Sequence, residues 1–458
     1  MPISDDGQNP TPPSALSRRA FIRSGVAAGA GMMMANPIPA FAQNSKAKGE
    51  DLNVAIIGTG AQGRVLIDAA LGIPGIRFKA VCDIWEYSQR YGERYLGKNG
   101  HAVTAYTDYR DMLAKEPDLD AVIVATPDFV HAEHAIACME AGHHVYCEKL
   151  MSNTAEAARR MVKTSQETGR LLQIGHQRRS NPRYQHALHN LLGEARLLGR
   201  ITNVNAQWNR AVTEDLGWPE KYTMDQDTLA RYGYANMHEY RNWRWYRKYG
   251  GGPISDLGAH QIDIFNWFLG ANPSSVMAGG GIDYYKNHEW YDNVMAIYEF
   301  PTSEGMVRAF YQVLTTTSAG GGYFEYFMGT DGSLKISENP KITAAYQEAH
   351  APDWDEWVRK GYIIRSGSAD DPKPWEKKRS VVVDARETAQ LAAWKIPIEL
   401  NKAIHQPHLE NFFDAIRHGV PLNCPGEQGY ASCVTVLKVN EAVAAERKLD
   451  FKASDFVV

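Results

Sequence analysis

The sequence predicts an α/β fold with a doubly wound parallel sheet, followed by an α+β domain whose sheet is mostly antiparallel. Apolar strands alternate with amphipathic helices up to residue 181, and a glycine-rich turn follows the first strand. After residue 182, closely spaced strands replace this alternation. With 458 residues, of which 44% are hydrophobic, the chain can bury the cores of two domains.

The N-terminal segment predicts a targeting signal rather than a folded element. SRRAFIR at residues 17–23 precedes the small apolar run SGVAAGAGMMMA, and AFA follows at 40–42. This order is typical of a twin-arginine export signal that is cleaved after Ala42. We therefore expect a signal peptide at 1–42, a leader at 43–50, export of the folded chain to the periplasm, and no stable membrane span after cleavage.

Charge and cysteine content exclude some classes of partner and site. The formal net charge is −4 and no basic block is present, so nucleic acid is not an expected partner. The five cysteines are odd in number and lack the spacing of a zinc site, so we expect buried free thiols rather than a disulfide framework.

The first strand and turn, LNVAIIGTGAQG at 52–63, carry the dinucleotide fingerprint of a Rossmann domain. Gly58 allows the tight turn, Gly60 lets the backbone approach a pyrophosphate, and Gly63 lets the helix lie close to the strand. The residues between them are also predicted to bind the cofactor: Thr59, Ala61 and Gln62. Asp83 ends the second strand, where its carboxylate would accept ribose hydroxyls and repel a 2′-phosphate, so NAD is favoured and NADP is less likely.

Further polar residues follow the later strands of the predicted parallel sheet, which we place at residues 51–181. Ligands bind at the carboxyl edge of such a sheet. The residues expected at this edge are Thr126, Pro127, Glu148, Lys149, Arg178 and Arg179. The two arginines would either hold a polar substrate or serve as capping or surface residues.

The segment GGGPISDLGAHQID at 250–263 places three polar residues at helical spacing. If the chain is helical after Pro253, then Asp256, His260 and Asp263 share one face. That face could contact a metal, a substrate hydroxyl or solvent. The three side chains are donor types of a facial metal triad, but nicotinamide chemistry needs no metal, so we expect none. Asp263 is equally compatible with substrate contact and with a structural partner.

The remainder of the chain predicts the second domain and its additions. We place an α/β domain for substrate and oligomerisation at 182–425, and a C-terminal helix and tail that pack back at 426–458. Residues 211–249 and 339–400 are rich in aromatic residues, which can stack on sugar rings or fill a core. Trp243 is the aromatic residue chosen as a substrate contact, whereas Trp354, Trp357 and Trp375 are candidates for a subunit contact.

Four motifs resemble one enzyme family. TPDFVHAEHA, CEKL, GHQRRSNPRY and NWRWYRKYGGGPISDLGAHQID are similar to motifs of the glucose-fructose oxidoreductase, inositol dehydrogenase and rhizopine catabolism family. The resemblance implies that the second domain has a large open sheet and that the chain forms a homo-dimer or tetramer. It also implies that Lys149, Asp256 and His260 meet over the nicotinamide and that His131 lies near the cofactor. Two positions depart from the family: Leu150 replaces a proline, and Asp128 replaces an asparagine.

Oxidation of a carbinol requires a base within hydrogen-bond reach of the hydroxyl. We expect His260 to be the principal acid and base, Lys149 to polarise the hydroxyl, and Asp256 to orient the imidazole. Because free NAD is scarce outside the cytoplasm, an exported enzyme should hold its NAD tightly and run a redox-neutral cycle.

The sequence thus predicts an exported NAD-dependent oxidoreductase that acts on a carbohydrate or polyol hydroxyl. Two alternatives remain open. One is an NAD-dependent glycosidase that uses transient oxidation and elimination, and the other is a non-catalytic sugar-binding protein.

Overall fold

The computed structural model describes residues 51–365 and 391–458. The predicted export signal, the leader and Trp375 lie outside these residues. Within the described ranges, none of the helices combines the length and the apolar character that a membrane crossing requires. All five cysteines are buried free thiols.

The first sheet is a parallel, doubly wound sheet, as the sequence predicts. Its strands have the order β3-β2-β1-β4-β5-β6, so the order reverses between β1 and β4. The elements are β1 (Leu52–Ile57), α1 (Ala61–Leu71), β2 (Ile76–Cys82), α2 (Glu86–Lys98), β3 (Thr104–Tyr106), α3 (Tyr109–Lys115), β4 (Ala121–Val124), α4 (Asp128–Glu140), β5 (His144–Cys147), α5 (Ala155–Thr168) and β6 (Leu172–Ile174). The point of reversal is where open α/β sheets bind their ligands.

The segment that joins the two sheets contains short helices. They are a 3₁₀ turn (Gln177–Ser180), α6 (Pro182–His186) and a π-helical stretch (Ala187–Glu194). Arg178 and Arg179 lie in the 3₁₀ turn, which follows β6 after two residues. The turn therefore holds both arginines close to the carboxyl edge of the first sheet.

The second sheet has ten strands and is mostly antiparallel, as predicted. Its order is β14-β15-β13-β12-β11-β7-β10-β9-β8-β16, and only the β7–β10 pair is parallel among the described strands. The strands are β7 (Ile201–Asn209), β8 (Ser275–Gly281), β9 (Asn293–Thr302), β10 (Gly305–Leu314), β11 (Tyr323–Gly329), β12 (Gly332–Ile336), β13 (Ala344–Gln347), β14 (Ile364–Arg365), β15 (Ala392–Lys395) and β16 (Leu449–Asp450). Buried and exposed residues alternate along β9 and β10, so one face of the sheet packs on a core and the other faces outward.

Helices cover the inner face of the second sheet. The remaining helices are α7 (Gln226–Arg231), α8 (Met237–Arg241), α9 (Ala259–Leu269), α10 (Asp355–Arg359), α11 (Gln406–His418) and α12 (Gly426–Ala445). Phe265 of α9 packs edge-on against Phe300 of β9 and Phe327 of β11. A π-helical turn at Ile254–Gly258 precedes α9, where the spacing alone predicts a regular α-helix.

The C-terminal helices contact the first sheet and its helices. Leu409, Phe412 and Phe413 of α11 share a core with Val54 and other residues of the first sheet, and α12 packs against α5, β8 and α9. The boundaries at 181/182 and 425/426 stay predictions.

The aromatic segment at 211–249 packs across the carboxyl edge of the first sheet. The indole Nε1 of Trp85, just beyond β2, donates to the carbonyl of Tyr222 at 2.6 Å. Arg231 pairs with Asp108, just beyond β3, at 3.3 Å, and the backbone N–H of Phe129 donates to the carbonyl of Tyr249. The segment thus contacts the ends of β2 and β3 and the start of α4.

Candidate active site

The three glycines of the turn after β1 differ in the space that each leaves for a side chain. Gly60 leaves space for one, whereas Gly58 and Gly63 do not. Gly58 has φ +93°, and a Cβ there would lie 2.6 Å from the carbonyl oxygen of Ala125. A Cβ on Gly63 would lie 2.0 Å from the carbonyl oxygen of Gly58, so the helix packs directly against the turn. A Cβ on Gly60 would meet nothing within 4 Å. The turn is therefore compact at Gly58 and Gly63 and open where the sequence predicts the pyrophosphate.

Asp83 is buried and braces this turn. Its carboxylate accepts hydrogen bonds from the backbone N–H of Thr59 at 2.8 Å, from that residue's hydroxyl at 3.2 Å, and from the N–H of Trp85 at 2.9 Å. The hydroxyl of Tyr240 lies 3.5 Å from the same carboxylate. Burial raises the pKa of Asp83, and these donors oppose that shift. The predicted ribose contact of Asp83 thus falls beside the aromatic segment at 211–249.

A cavity of about 300 Å³ lies at the carboxyl edge of the first sheet and reaches the second sheet. It is lined by Gln62, Thr126, Asp128, Glu148, Lys149, Gln177, Trp208, Trp243, Arg244, Asp256, His260, Tyr323, Glu338, Ile404 and His405. Its size is at the lower end of the range of about 300–1,000 Å³ that is usual for small-molecule sites. The cavity brings together Lys149, Asp256 and His260, which the sequence predicts to be catalytic.

Lys149 is positioned by main-chain and carboxylate contacts. Its Nζ donates a hydrogen bond to the backbone carbonyl of Asp256, and its backbone N–H donates to Glu148 at 3.2 Å. Gln62 donates to the other oxygen of Glu148 at 3.0 Å. A Cβ on Gly175 would lie 2.9 Å from the Glu148 carboxylate, so only glycine leaves room for it. The peptide bond between Lys149 and Leu150 is cis.

Asp256 does not orient His260 in the way the sequence predicts. Within residues 51–365 and 391–458, no hydrogen bond joins the two side chains. The Asp256 carboxylate instead accepts from Arg244 at 2.9 Å and lies 3.9 Å from Arg210. Burial alone would raise the pKa of Asp256, but these arginines and Lys149 lower it to about 2. The π-helical turn contributes to this difference, because its wider spacing changes the relative direction of residues 256 and 260.

His260 is 9% exposed and lies against the indole of Trp208, with ring centroids 5.8 Å apart. Its Nδ1 has no hydrogen-bond partner among the described residues. Burial, followed by the charges of Lys149 and Arg178, lowers the pKa of His260 well below its ordinary value. The imidazole is therefore neutral at neutral pH, which is the form that can accept a proton.

Arg178, Arg179 and Asp263 lie behind the cavity wall rather than on it. Arg179 forms a buried, forked ion pair with Asp263 at 2.8–3.1 Å, and Ser432 donates to the same carboxylate at 2.6 Å. Arg178 pairs with Glu325 and with Glu338. The structure does not bring these three predicted substrate residues to the wall, because buried carboxylates and arginines satisfy one another. Their contact with substrate stays a prediction, whereas Trp243 does line the cavity.

The remaining predicted residues lie at the carboxyl ends of β4 and β5. The imidazole of His131 bridges the carbonyls of Leu150 and Thr126, at 2.7 and 2.6 Å, and so ties two cavity loops together. Pro127 caps the N-terminus of α4. Asp128 lines the cavity, and burial raises the pKa of its carboxyl, although His131 and Lys149 oppose the shift.

Several wall residues were not predicted as site residues: Gln177, Tyr323, Glu338, Arg244, Ile404 and His405. His405 lies just before α11, and its Nε2 is 3.1 Å from the side-chain nitrogen of Gln62. Four of them lie outside the quoted motifs: Tyr323, Glu338, Ile404 and His405. Gln177 lies within the quoted motif at 175–184. Arg244 was within the quoted motif at 242–263, and only its position in that motif could have indicated it.

The residues present fit a dinucleotide. The first turn of α1 has backbone N–H groups without intrahelical partners, and the space beside Gly60 is open. Gln62, Thr126 and Lys149 continue this edge into the cavity. Gly58, Thr59, Gly60, Ala61, Gln62 and Gly63 would hold the phosphates, and the cavity residues would face the nicotinamide.

Comparisons with known proteins agree with this arrangement. Residues 52–176 match the GFO_IDH_MocA oxidoreductase family with an NAD-binding Rossmann fold, and residues 192–335 match the GFO/IDH/MocA C-terminal domain.

Among curated proteins, a 4-carboxy-2-hydroxymuconate-6-semialdehyde dehydrogenase of Sphingobium sp. is 34% identical over 36% of this chain and 55% of its own length. A 1,5-anhydro-D-fructose reductase of Ensifer adhaerens is 30% identical over 56% of this chain and 67% of its own length. A glycosyl hydrolase family 109 protein of Shewanella baltica is 28% identical over 55% of this chain and 57% of its own length. The matches to the first three curated relatives thus span 39–67% of those proteins.

A solved levoglucosan dehydrogenase in complex with NADH has the same fold. Its TM-score is 0.64 at 19% identity, over 88% of this chain and 99% of that chain.

Proposed function

Because the chain belongs to the GFO/IDH/MocA oxidoreductase family and has an NAD-binding Rossmann domain, we propose that it oxidises a hydroxyl of a sugar, polyol or glycoside by hydride transfer. The observation that carries this proposal is the shared cavity of Lys149 and His260 beside the glycine turn. When bound, NAD supplies the hydride acceptor. NAD is favoured over NADP because Asp83 lies at the predicted ribose position.

The side chains divide the proton chemistry between them. His260 is neutral and accepts the proton of the substrate hydroxyl, because burial and nearby cations disfavour its charged form. Lys149 donates a hydrogen bond to the substrate oxygen and polarises it. Asp256 positions two cationic side chains. Its main-chain carbonyl accepts from Nζ of Lys149, and its carboxylate accepts from Arg244.

We propose that NAD is held tightly and is not exchanged in each cycle. The segment at 211–249 supports this, because it crosses the carboxyl ends of β2 and β3 beside Asp83. The twin-arginine pattern at 17–23 supports export to the periplasm, where a retained cofactor and a redox-neutral cycle are required. Fractionation of cells that express the full chain tests export: the Arg18→Lys/Arg19→Lys variant should stay in the cytoplasm.

An open sheet face supports assembly into a homo-dimer or tetramer. Met277, Met295, Ile297 and Met306 lie on the outward face of β8, β9 and β10 and are 40–49% exposed. Apolar residues gathered on one face favour a protein partner, and a second copy of this chain is the partner that we propose. Sedimentation of purified protein tests this proposal, and a monomer at all concentrations would contradict it.

The test of hydride transfer is the absorbance of purified protein in the reduced-nicotinamide band during titration with sugars, polyols and glycosides. A substrate should raise the band in wild type, and the rise should be lost or strongly slowed in His260→Asn. His350→Asn is the control, because the His350 side chain is 67% exposed and lies outside the cavity wall. No spectral change with any compound would contradict the proposal.

A second candidate function is an NAD-dependent glycosidase. The resemblance to the glycosyl hydrolase family 109 protein supports it. Chromogenic glycosides separate the two functions, because aglycone release without a second substrate indicates the glycosidase. A non-catalytic sugar-binding protein is indicated instead if Lys149→Ala and His260→Ala leave the biological activity unchanged.

A further inference from the structure

One wall of the cavity carries residues that the proton chemistry does not use. Trp208 of β7 and Tyr323 of β11 are paired across the two strands, and their rings stack with centroids 4.5 Å apart at 23°. Both residues line the cavity next to His260. Because the two rings stack on each other, they give this part of the wall apolar ring edges, against which the C–H groups of a pyranose or cyclitol ring can pack.

Glu338 lies on the same wall and is fixed by two donors. Its side chain is 5% exposed. One oxygen accepts from the side-chain amide of Gln177 at 3.1 Å and the other accepts from Nε of Arg178 at 3.1 Å. A carboxylate has about four acceptor positions, so each oxygen keeps capacity for one more donor. A pair of ligand hydroxyl groups would fill that capacity.

Gln177 has an unused acceptor of its own. Its Oε1 is buried and has no hydrogen-bond partner among the described residues, although the residue lines the cavity. A buried carbonyl oxygen without a donor is unfavourable. This oxygen is not open to the cavity, so what Gln177 contributes to the wall is the side-chain amide N–H that fixes Glu338.

The carboxyl groups on this wall are matched by cations on it and beyond it. Arg178 is shared between Glu338 and the buried Glu325, and burial raises the pKa of Glu325 to about 7 despite the arginine. The other charged groups on the cavity wall are Asp128, Glu148 and Asp256 against Lys149 and Arg244. Arg178 and Arg210 add two cations, which pair with Glu338 and Asp256 from beyond the wall. The oxygens of Glu338 nevertheless only accept hydrogen bonds, so a carboxylate on a ligand finds an acceptor there and no donor.

We propose that Gln177 and Glu338, together with the Trp208–Tyr323 pair, form a subsite for the hydroxyl-bearing ring of a neutral sugar or cyclitol, and that Glu338 excludes sugars that carry a carboxylate. The choice of a sugar as ligand rests on the proposed function. The subsite assigns the substrate class by charge: neutral rings bind, and uronates do not.

The test compares binding of neutral pyranoses with their uronate counterparts to the purified holoprotein. D-glucose with D-glucuronate and D-galactose with D-galacturonate are matched pairs, and myo-inositol represents a neutral cyclitol. Tryptophan fluorescence and calorimetry detect binding itself, so the measurement does not depend on turnover. Wild type should bind at least one neutral member, and in its pair the preference over the uronate should be about tenfold or more.

Glu338→Gln should reduce this preference to less than about threefold, because the amide keeps the size of the side chain and removes its charge. Gln177→Met should weaken neutral sugars about threefold to tenfold and leave the ratio unchanged, because it removes a hydrogen-bond partner and no charge. Glu304→Gln is the control, because Glu304 pairs with Arg196 on the surface, away from the cavity wall. Thermal unfolding verifies that each variant is folded.

Failure to bind any neutral probe, a preference for uronates, or an unchanged ratio in folded Glu338→Gln would each overturn the subsite. If Glu338→Gln does not fold, an unaltered affinity of Gln177→Met for neutral rings overturns it. The outcome for the proposed function is separate. A rise in reduced-nicotinamide absorbance without the charge preference leaves the oxidoreductase standing, whereas charge-selective binding without any rise leaves the subsite and removes hydride transfer.

Discussion

The cavity wall and the layer directly behind it contain the same kinds of side chain in different states. On the wall, His260 and Gln177 have buried polar atoms without partners among the described residues. Behind it, Arg179, Asp263 and Ser432 bond to one another. Asp263 follows His260 by three residues, yet only His260 lines the cavity. Residue type therefore does not distinguish the two layers. Neither does an unmet hydrogen bond, because His176 and Arg178, which do not line the cavity, also have buried nitrogens without partners among the described residues. What distinguishes the wall is access to the cavity.

The largest effect on the rate of hydride transfer is expected when Lys149, on the cavity wall, is changed. Lys149→Met should slow hydride transfer about 10²–10³-fold, because the loss of one donor that stabilises charge on the reacting oxygen costs about that much. The measurement is the rate of the absorbance change in a single turnover. Lys163→Met, at an exposed position of α5, is the matched control. A rate within threefold of wild type would remove Lys149 from the chemistry.

A change behind the wall should affect stability instead. Asp263→Ala should lower the free energy of unfolding by about 3–5 kcal/mol, because it leaves Arg179 buried without its carboxylate. Urea unfolding measures this loss. Asp355→Ala is the control, since Asp355 pairs with Arg365 on the surface and should cost less than about 1 kcal/mol. Equal losses in the two variants would show that the layer behind the wall is not a closed ion-pair layer.

The buried His408 tests the same comparison through the pH dependence of the free energy of unfolding. Its Nε2 lies 2.8 Å from the carbonyl of Ile174, and its Nδ1 lies 2.6 Å from the hydroxyl of Ser180. Nε2 must donate to the carbonyl, so Nδ1 is left to accept in the neutral ring. Burial lowers the pKa of His408 to about 3. In the unfolded chain, the His408 ring takes up a proton below its ordinary pKa of about 6.5. The folded ring does not take up this proton until the pH reaches its lowered pKa.

The stability that neutral His408 contributes is therefore present above pH 6.5 and is lost as the pH falls from there toward 3. Between pH 7 and 5 this loss should be about 2 kcal/mol, and His408→Gln should show that much less pH dependence. Urea unfolding at several pH values measures it. His350→Gln, at an exposed histidine, should retain the full dependence. An unchanged slope in His408→Gln would mean that folding does not lower the pKa of His408.

The sequence predicted the first sheet well, because strand–helix alternation and Gly58, Gly60 and Gly63 depend on local patterns. The mostly antiparallel second sheet also followed from the strand pattern. The parallel β7–β10 pair did not, since 95 residues separate Asn209 from Gly305 and contain other strands and helices. The π-helical turn at Ile254–Gly258 was not predicted either, because its residues have the spacing of an ordinary helix.

The candidate site was predicted where a motif places a residue at a strand end. Lys149 and His260 do meet at one cavity. Arg178 was interpreted as a substrate residue because its partner Glu325 lies 147 positions away, which no local pattern reveals. Glu338 was missed because it stands alone after β12 and acquires its role only when Gln177 and Arg178 fold against it.

The hydrogen bond from Lys149 ends on a main-chain carbonyl, and this has a genetic consequence. Every amino acid at position 256 carries that oxygen, so mutation of Asp256 cannot delete the acceptor, only the carboxylate that holds Arg244. The position of the Lys149 ammonium therefore depends on the path of the main chain around residue 256. Evolution can vary the side chain at that position while the ammonium stays in place.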